Sequence, residues 1–123
     1  MNWHPSNKQI CEEFSKGNFE FSFMFLAEDI LWNIVGDKVL KGKDSVIDFC
    51  KNTAEYFKQV DTKFSTNNII ADDNCVAING TAIFTNSDNK STHVSSCDVY
   101  RFKNGLLTEI TSYCIVTDKD RQN

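Results

Sequence analysis

The clearest alternation of apolar and polar side chains in this chain runs over residues 97–113. Two alternating runs are joined by Asn104-Gly105, and this pair predicts a type I′ turn because both positions tolerate positive φ. Successive side chains of a strand point to opposite faces of a sheet. One face of the predicted hairpin carries Asp98, Tyr100 and Phe102, and the other carries Val99, Arg101 and Lys103. The pattern therefore places a single carboxylate on the same face as two aromatic side chains.

The rest of the second half of the chain shows the same strand-like alternation. The predicted strands cover residues 60–71, 75–85, 92–103 and 106–117, separated by a turn cluster at 72–74 and a polar loop at 86–91. Asn79-Gly80 allows two interpretations, a tight turn or a glycine bend within one curved strand. We favour the bend, because a turn would leave two strands of only about four or five residues.

The beginning of the chain has the spacing of short helices. Ser6 can cap a helix that carries Ile10 and Phe14 and ends at Gly17. Asn18 can cap a second, short helix. The apolar residues at helical spacing in that second helix are Phe19, Phe23, Leu26 and Ala27. We therefore expect two helices before the first strand.

A short hairpin and a long amphipathic helix follow. The hairpin covers residues 30–40 around Gly36-Asp37, and the helix covers residues 43–59. The apolar stripe of this helix consists of Val46, Ile47, Phe49, Cys50, Ala54 and Phe57. Helices followed by a long antiparallel meander predict an α+β fold. In this fold about three N-terminal helices pack on a strongly curved, mostly antiparallel sheet that encloses a pocket.

Composition excludes several classes of protein. The 123 residues form one domain (1–123), with a core at about 5–117 and a polar tail at 118–123. A net charge of −4 without a basic stripe speaks against nucleic acid as a partner. No apolar run is long enough to span a membrane, and the N-terminus does not have the pattern of a signal peptide. We expect a cytoplasmic protein.

The cysteines and histidines suggest neither disulfides nor a metal site. Five cysteines make an odd number, and they contain no C-x-x-C pair, which fits reduced thiols in a cytosol. Both histidines are isolated in the sequence, and zinc sites need closer clustering. The sequence therefore predicts no bound metal and indicates no cofactor.

Three stretches together resemble the NTF2-like superfamily, particularly its SnoaL-like polyketide-cyclase and ketosteroid-isomerase branches. Residues 26–32 are similar to the family's second helix running into its first strand, and residues 40–46 to the entry of its long third helix. Residues 98–105 are similar to its penultimate hairpin. The resemblance covers residues 5–117. It implies a cone-shaped fold with a central cavity, and a homodimer formed through the outer sheet face.

The same resemblance makes Asp98 the candidate for chemistry. It matches the ketosteroid isomerase aspartate that stays protonated and donates a hydrogen bond to an oxyanion. An apolar pocket would raise the pKa of such a carboxyl by desolvation. The expected pocket-lining residues are Phe14, Trp32, Ile34, Tyr56, Ile78, Ala82, Phe84, Tyr100, Ile110, Ser112 and Cys114. The alternative is a structural aspartate bonded to tyrosine, serine or backbone groups.

The rest of the isomerase machinery is missing from the sequence. The family's general base falls near Ile34 or Asn33, and its oxyanion tyrosine falls near Ile10. None of these side chains can do that chemistry. The epoxide hydrolase branch needs an arginine between two acids, but the last strand offers Ser112 and Cys114 instead of an acid.

Three functions stay open on this sequence. We favour a SnoaL-like protein whose pocket binds a small apolar or aromatic molecule without the complete isomerase set. The alternatives are an isomerase, cyclase or dehydratase that uses Asp98 as proton donor, and a protein-interaction module. His93 falls on the face opposite Asp98, so a role as catalytic base would need a bulge. Trp32 can form a pocket wall or belong to the core, and Tyr113 is predicted to face outward.

Overall fold

A computed structural model describes residues 4–117, so the predicted polar tail at 118–123 lies outside the described residues. Its elements are helix α1 (Asn7–Ser15), a 3₁₀ helix (Phe19–Phe25), strands β1 (Leu26–Ile34) and β2 (Lys38–Lys41), helix α2 (Lys43–Gln59), and strands β3 (Asp61–Asp72), β4 (Cys75–Thr85), β5 (Ser91–Lys103) and β6 (Leu106–Thr117). The strands form a six-stranded sheet in the order β2-β1-β6-β5-β4-β3. Only the β1–β6 pairing within this sheet is parallel. The predicted α+β class, with helices on a curved and mostly antiparallel sheet, is confirmed.

Helix α1 begins as the sequence predicts. The Ser6 side chain accepts a hydrogen bond from the backbone N–H of Gln9 at 3.1 Å, and the Gln9 side chain accepts one from the backbone N–H of Ser6 at 2.9 Å. This reciprocal arrangement is a capping box, which satisfies two otherwise unpaired backbone donors. The helix ends before Gly17, whose φ of +90° suits a residue without a side chain.

The prediction of a second helix is only partly correct. It is a 3₁₀ helix that ends at Phe25, and Leu26 and Ala27 belong to β1 instead. Leu26 pairs with Leu107 of β6, so strand β1 begins four residues before residue 30, where the sequence predicted the start of the hairpin. Asn18 makes no capping hydrogen bond and donates to the Glu13 side chain at 2.7 Å.

The β5–β6 hairpin forms around the predicted turn. Asn104 and Gly105 have φ values of 53° and 80°, as a type I′ turn requires. In β6 one extra residue, Thr108, interrupts the pairing, because Arg101 pairs with Glu109 and Phe102 with Leu107. This bulge lets both Leu107 and Ile110 point into the core, where each is completely buried.

Gly80 lies within a continuous β4, so the favoured interpretation of a single strand is confirmed and the tight turn is not formed. The neighbouring strand β3 carries the irregularity, with the register shifting between Thr66 and Asn68. A Cβ atom at Gly80 would lie 2.6 Å from the carbonyl oxygen of Ser65. Glycine is therefore required because the backbone of β3 passes too close for any side chain.

The hydrophobic core lies between the inner face of the sheet and the helices. Ile10 and Cys11 of α1 and Val46 and Cys50 of α2 are completely buried. The long helix spans the predicted residues 43–59, and most of its predicted stripe packs against the core from partly buried positions. The helices thus cover one side of the sheet, and the other side is left open.

Candidate functional site

A partly open cavity of about 240 Å³ lies between the helices and the inner sheet face. Seven of its lining residues are aromatic, and their rings contact one another in a series. The ring contacts run from Phe49 through Trp32, Phe14 and Phe19 to Phe57, which packs on Phe64 and Phe84. Successive ring centroids along this series lie 4.9–6.1 Å apart, as in ordinary edge-to-face and stacked pairs.

The sheet contributes a polar strip to the same cavity. Asp98 on β5 pairs with Ser112 on β6, and Ser96 pairs with Cys114 one step further along the strands. All four residues line the cavity. The cavity therefore combines an aromatic wall with a short row of hydrogen-bonding groups.

Asp98 is the centre of a hydrogen-bond network. The Ser15 hydroxyl, at the end of α1, donates to Asp98 Oδ2 at 3.2 Å and is also bonded to the Tyr100 hydroxyl. Ser112 is hydrogen-bonded to Asp98 as well, and its Oγ accepts the Trp32 indole N–H at 2.9 Å. Burial raises the pKa of Asp98 above its ordinary value, while the hydrogen bonds from Ser112, Ser15 and Tyr100 oppose that rise.

Eight of the expected pocket residues line the cavity. They are Phe14, Trp32, Ile34, Ile78, Ala82, Phe84, Ser112 and Cys114, together with Asp98. Trp32 fits both interpretations, because its ring is 7% exposed and belongs to the core while one side of it faces the cavity.

Three expected pocket residues lie elsewhere. Tyr56 is 48% exposed, because the cavity side of α2 is the row Phe49, Thr53 and Phe57, to which Tyr56 does not belong. Tyr100 and Ile110 are completely buried in the core at the turn end of the sheet. Tyr100 reaches the site through its hydroxyl, which is hydrogen-bonded to Ser15 and to Asp98.

Several lining residues were not predicted. The most important is Ser15, which sits at the end of a helix and meets Asp98 across 83 residues of sequence. Nothing in the local pattern distinguishes it from a solvent-facing serine. Phe49, Thr53 and Phe57 carried a usable signal, because a spacing of four residues places them on one face of α2.

The chemistry open to the cavity is limited. Among the lining residues, all within the described range 4–117, Asp98 is the only one with a carboxylate, and no lysine, arginine or histidine accompanies it. Ile34 lines the cavity where the isomerase base would stand, and Ile10 is buried in the core. Burial and the nearby Asp98 carboxylate raise the pKa of Cys114, which disfavours a thiolate nucleophile.

His93 and possible metal ligands lie apart from this site. His93 pairs with Ile83 and Thr117 in a regular part of the sheet, on the face opposite Asp98. Within residues 4–117, no group of three or more histidine, cysteine, aspartate or glutamate side chains could hold a metal ion. None of the helices described there is long and apolar enough to cross a membrane.

Comparison with solved structures gives several similar folds. An NTF2-like protein of unknown function from Cytophaga hutchinsonii is 37% identical, with a TM-score of 0.80 over 87% of this chain and 94% of that one. An LEH-like epoxide hydrolase from M. tuberculosis is 17% identical, with a TM-score of 0.67 over 88% of this chain and 81% of that one. A proposed SnoaL-like polyketide cyclase from Jannaschia sp. is 8% identical, with a TM-score of 0.70 over 92% and 91%. At the two lower identities the likeness concerns the fold alone.

Sequence comparison agrees with this fold. Curated proteins give no significant match. Residues 8–110, most of the chain, match the SnoaL-like domain family. The chain therefore belongs to the SnoaL-like family of the NTF2-like superfamily.

Proposed function

We propose that this protein binds a small, flat and mainly apolar molecule in the cavity. The observation that carries the proposal is the combination of a nearly continuous aromatic wall with one carboxylate. Ligand sites are typically apolar clefts with a few placed polar groups. Pockets for drug-sized ligands have volumes of roughly 300–1,000 Å³, so a cavity of about 240 Å³ suits a molecule of one or two rings.

Calorimetric titration with indene, an apolar bicyclic hydrocarbon, tests this proposal. We expect saturable binding to the wild-type protein. Thr53 lines the cavity, whereas its neighbour Asn52 is exposed on the outside of α2. Thr53→Phe should abolish the binding by filling the cavity, and Asn52→Phe should leave it unchanged. Melting curves verify that both variants are folded, and absence of indene binding to the wild-type protein would overturn the proposal.

A second candidate is an enzyme of the isomerase, cyclase or dehydratase type that uses Asp98 as proton donor. It is favoured by one observation, the raised pKa of a carboxyl that lines the cavity. A general acid needs a pKa closer to the working pH than that of a free carboxyl. The test is deuterium exchange at the carbon next to the carbonyl of 1-indanone, followed by NMR. Exchange that depends on Asp98 supports the enzyme, and exchange equal in Asp98→Asn supports a binding protein.

The third candidate, a protein-interaction module, has less support. Such a module fits a cavity closed by its own phenylalanine side chains, and here the rings surround open space instead.

We also propose that two copies associate through the outer sheet face. Apolar side chains point outward there, and Ile70, Tyr113 and Ile115 are 71%, 47% and 64% exposed. Sedimentation at micromolar concentration should give a dimer. Ile115→Asp should separate the subunits, whereas Val116→Asp, on the opposite face of the same strand, should not. A wild-type monomer of 14.0 kDa would contradict the proposal.

A cytosolic location is part of the same proposal. All five cysteines are free, and two of them, Cys11 and Cys50, are completely buried. Unpaired thiols fit a reducing compartment. Fractionation of source cells, with the periplasm or medium assayed separately, checks this assignment.

A further inference from the structure

The hydrogen bonds around Asp98 involve side chains that differ in what they can donate and accept. Four side chains take part in its network, and each supplies a single hydrogen: Ser15, Trp32, Tyr100 and Ser112. Hydroxyl groups can donate or accept, but an indole N–H can only donate. This difference fixes the direction of the bonds that begin at Trp32.

One branch starts at the indole. The Trp32 N–H donates to Ser112 Oγ at 2.9 Å, so Ser112 must act as acceptor in that bond. Its own hydrogen then remains for its second partner, Asp98. This branch cannot run in the opposite direction, since the indole has no lone pair to accept a hydrogen.

The other branch joins Ser15, Tyr100 and Asp98. The two hydroxyls share a hydrogen bond in which either can be the donor, and each is also hydrogen-bonded to Asp98. An ionised Asp98 can only accept in its two bonds. Tyr100 is completely buried, so its hydroxyl forms its hydrogen bonds with protein groups and not with solvent.

Asp98 accepts the Ser112 hydrogen in the first branch, and in its ionised form it is the acceptor in the second branch too. An ionised carboxylate has about four lone-pair sites and no hydrogen, so it can only accept. A neutral carboxylic acid would carry one hydrogen, which it could donate to the Ser15 oxygen. The network occupies part of the acceptor capacity, and Asp98 also lines the cavity.

We infer that Asp98 accepts a hydrogen bond from the bound molecule, so that the cavity selects a flat apolar compound carrying one hydroxyl or N–H group. This inference rests on the proposed binding function and adds the polar group that the ligand presents. It is the reverse of a role in which Asp98 donates a proton to a carbonyl.

The titratable groups that face Asp98 do not compete for this role. They are Cys11 from α1, Tyr100 on the same strand and Cys114 from β6. Burial, and to a smaller degree the charge of Asp98, raises the pKa of each, so all three stay neutral near neutral pH. Asp98 is thus the group whose ionisation changes the polarity of the site.

Three bicyclic probes of similar shape test the inference by calorimetry at pH 8. Indole carries an N–H donor, 1-indanone carries a carbonyl acceptor, and indene carries neither. We expect indole to bind about tenfold more tightly than indene, as a hydrogen bond to a charged acceptor allows. The 1-indanone affinity should not exceed that of indene. In Asp98→Leu the preference for indole should disappear while indene still binds.

The pH dependence supplies a second readout. The preference for indole should decline as the pH falls through the pKa of Asp98, because the protonated carboxyl loses its negative charge. Ser15→Ala removes a hydrogen bond to the charged form, so the midpoint of this decline should move to higher pH. Ser95→Ala is the matched control, since Ser95 lies on the same strand as Asp98 but faces the opposite side of the sheet and does not line the cavity. Its midpoint should stay at the wild-type value.

The outcomes separate the two proposals. If none of the probes binds, the binding function is overturned and this inference with it. If indene binds and indole gains nothing over it, or if 1-indanone binds more tightly than indene at pH 8, only the inference is overturned.

Discussion

The two ends of the inner sheet face carry the same alternation but differ in their cover. At the end near the Asn104-Gly105 turn, Val76, Tyr100 and Ile110 are completely buried. At the other end the inward positions are more open, and Val116 is 68% exposed. The comparison teaches that alternation decides which face a side chain occupies, whereas the overlying helices decide how deeply it is buried.

The length of α1 accounts for the difference. Its nine residues extend over about 14 Å, whereas the thirteen residues of β5 extend over about 43 Å. The helix can therefore cover only part of the strands beneath it. Ser15 and Gly17, at the end of α1, line the cavity. The cavity begins where the helix stops.

The largest effect should come from matched valines at the two ends. Val76→Ala removes two methyl groups from a completely buried site, and we expect a loss of about 2–3 kcal/mol in the free energy of unfolding. Val94→Ala, at the cavity, should cost under about 1 kcal/mol because that side chain is only partly buried. Urea unfolding measures both, and equal losses would break the comparison.

A smaller effect is expected at Gly80, between the two ends. Gly80→Ala forces a Cβ atom towards the Ser65 carbonyl oxygen, and we expect a loss of about 1–2 kcal/mol. Thr81→Ala, next in the strand and exposed, should change the free energy of unfolding by less than about 0.5 kcal/mol. If Gly80→Ala unfolds at the same urea concentration as the wild type, the close approach of β3 does not constrain this position.

The smallest effect concerns the pH dependence of stability. Below the ordinary pKa of 3.8, Asp98 is neutral in both the folded and the unfolded chain. As the pH rises through 3.8, the unfolded chain releases its proton first, because burial raises the folded-state pKa. The wild type therefore loses stability relative to Asp98→Asn until the pH passes the folded-state pKa, and the difference is constant above it.

Urea unfolding of both proteins from pH 3 to pH 7 measures that difference. A difference that stays constant over the whole range would mean that Asp98 is as well solvated in the folded chain as in the unfolded one.

The features that the sequence predicts well depend on neighbouring residues. The turn at Asn104-Gly105, the faces of β5 and the helix cap at Ser6 follow from local chemistry, and each is present. Gly80 was predicted as a bend from strand length alone. Glycine is needed there because a side chain would clash with Ser65 of β3. That contact is with another strand, so the residues next to Gly80 do not indicate it.

The features that the sequence predicts poorly depend on distant contacts. Leu26 and Ala27 have helical spacing, but pairing with β6 draws them into the sheet. Tyr56 was expected in the pocket, but its neighbour Phe57 lines the cavity, because Phe57 lies on the apolar stripe of α2 and Tyr56 does not. Tyr100 shares a face with Asp98, but α1 packs over the Tyr100 ring, which is therefore completely buried in the core.

The parallel pairing of β1 with β6 has a consequence for how the chain folds. Strands β3 to β6 follow one another in the sequence with short connections, so each can pair with the strand before it as the chain folds. Strand β1 can pair in the sheet through its β6 edge only after β6 has formed. Two contacts at the cavity also join distant parts of the chain: Trp32 with Ser112 spans 80 residues, and Ser15 with Asp98 spans 83. Closing such long loops costs entropy and slows folding. A chain that has not yet formed β6 therefore lacks these contacts, and we expect the cavity to be among the last parts of the fold to form.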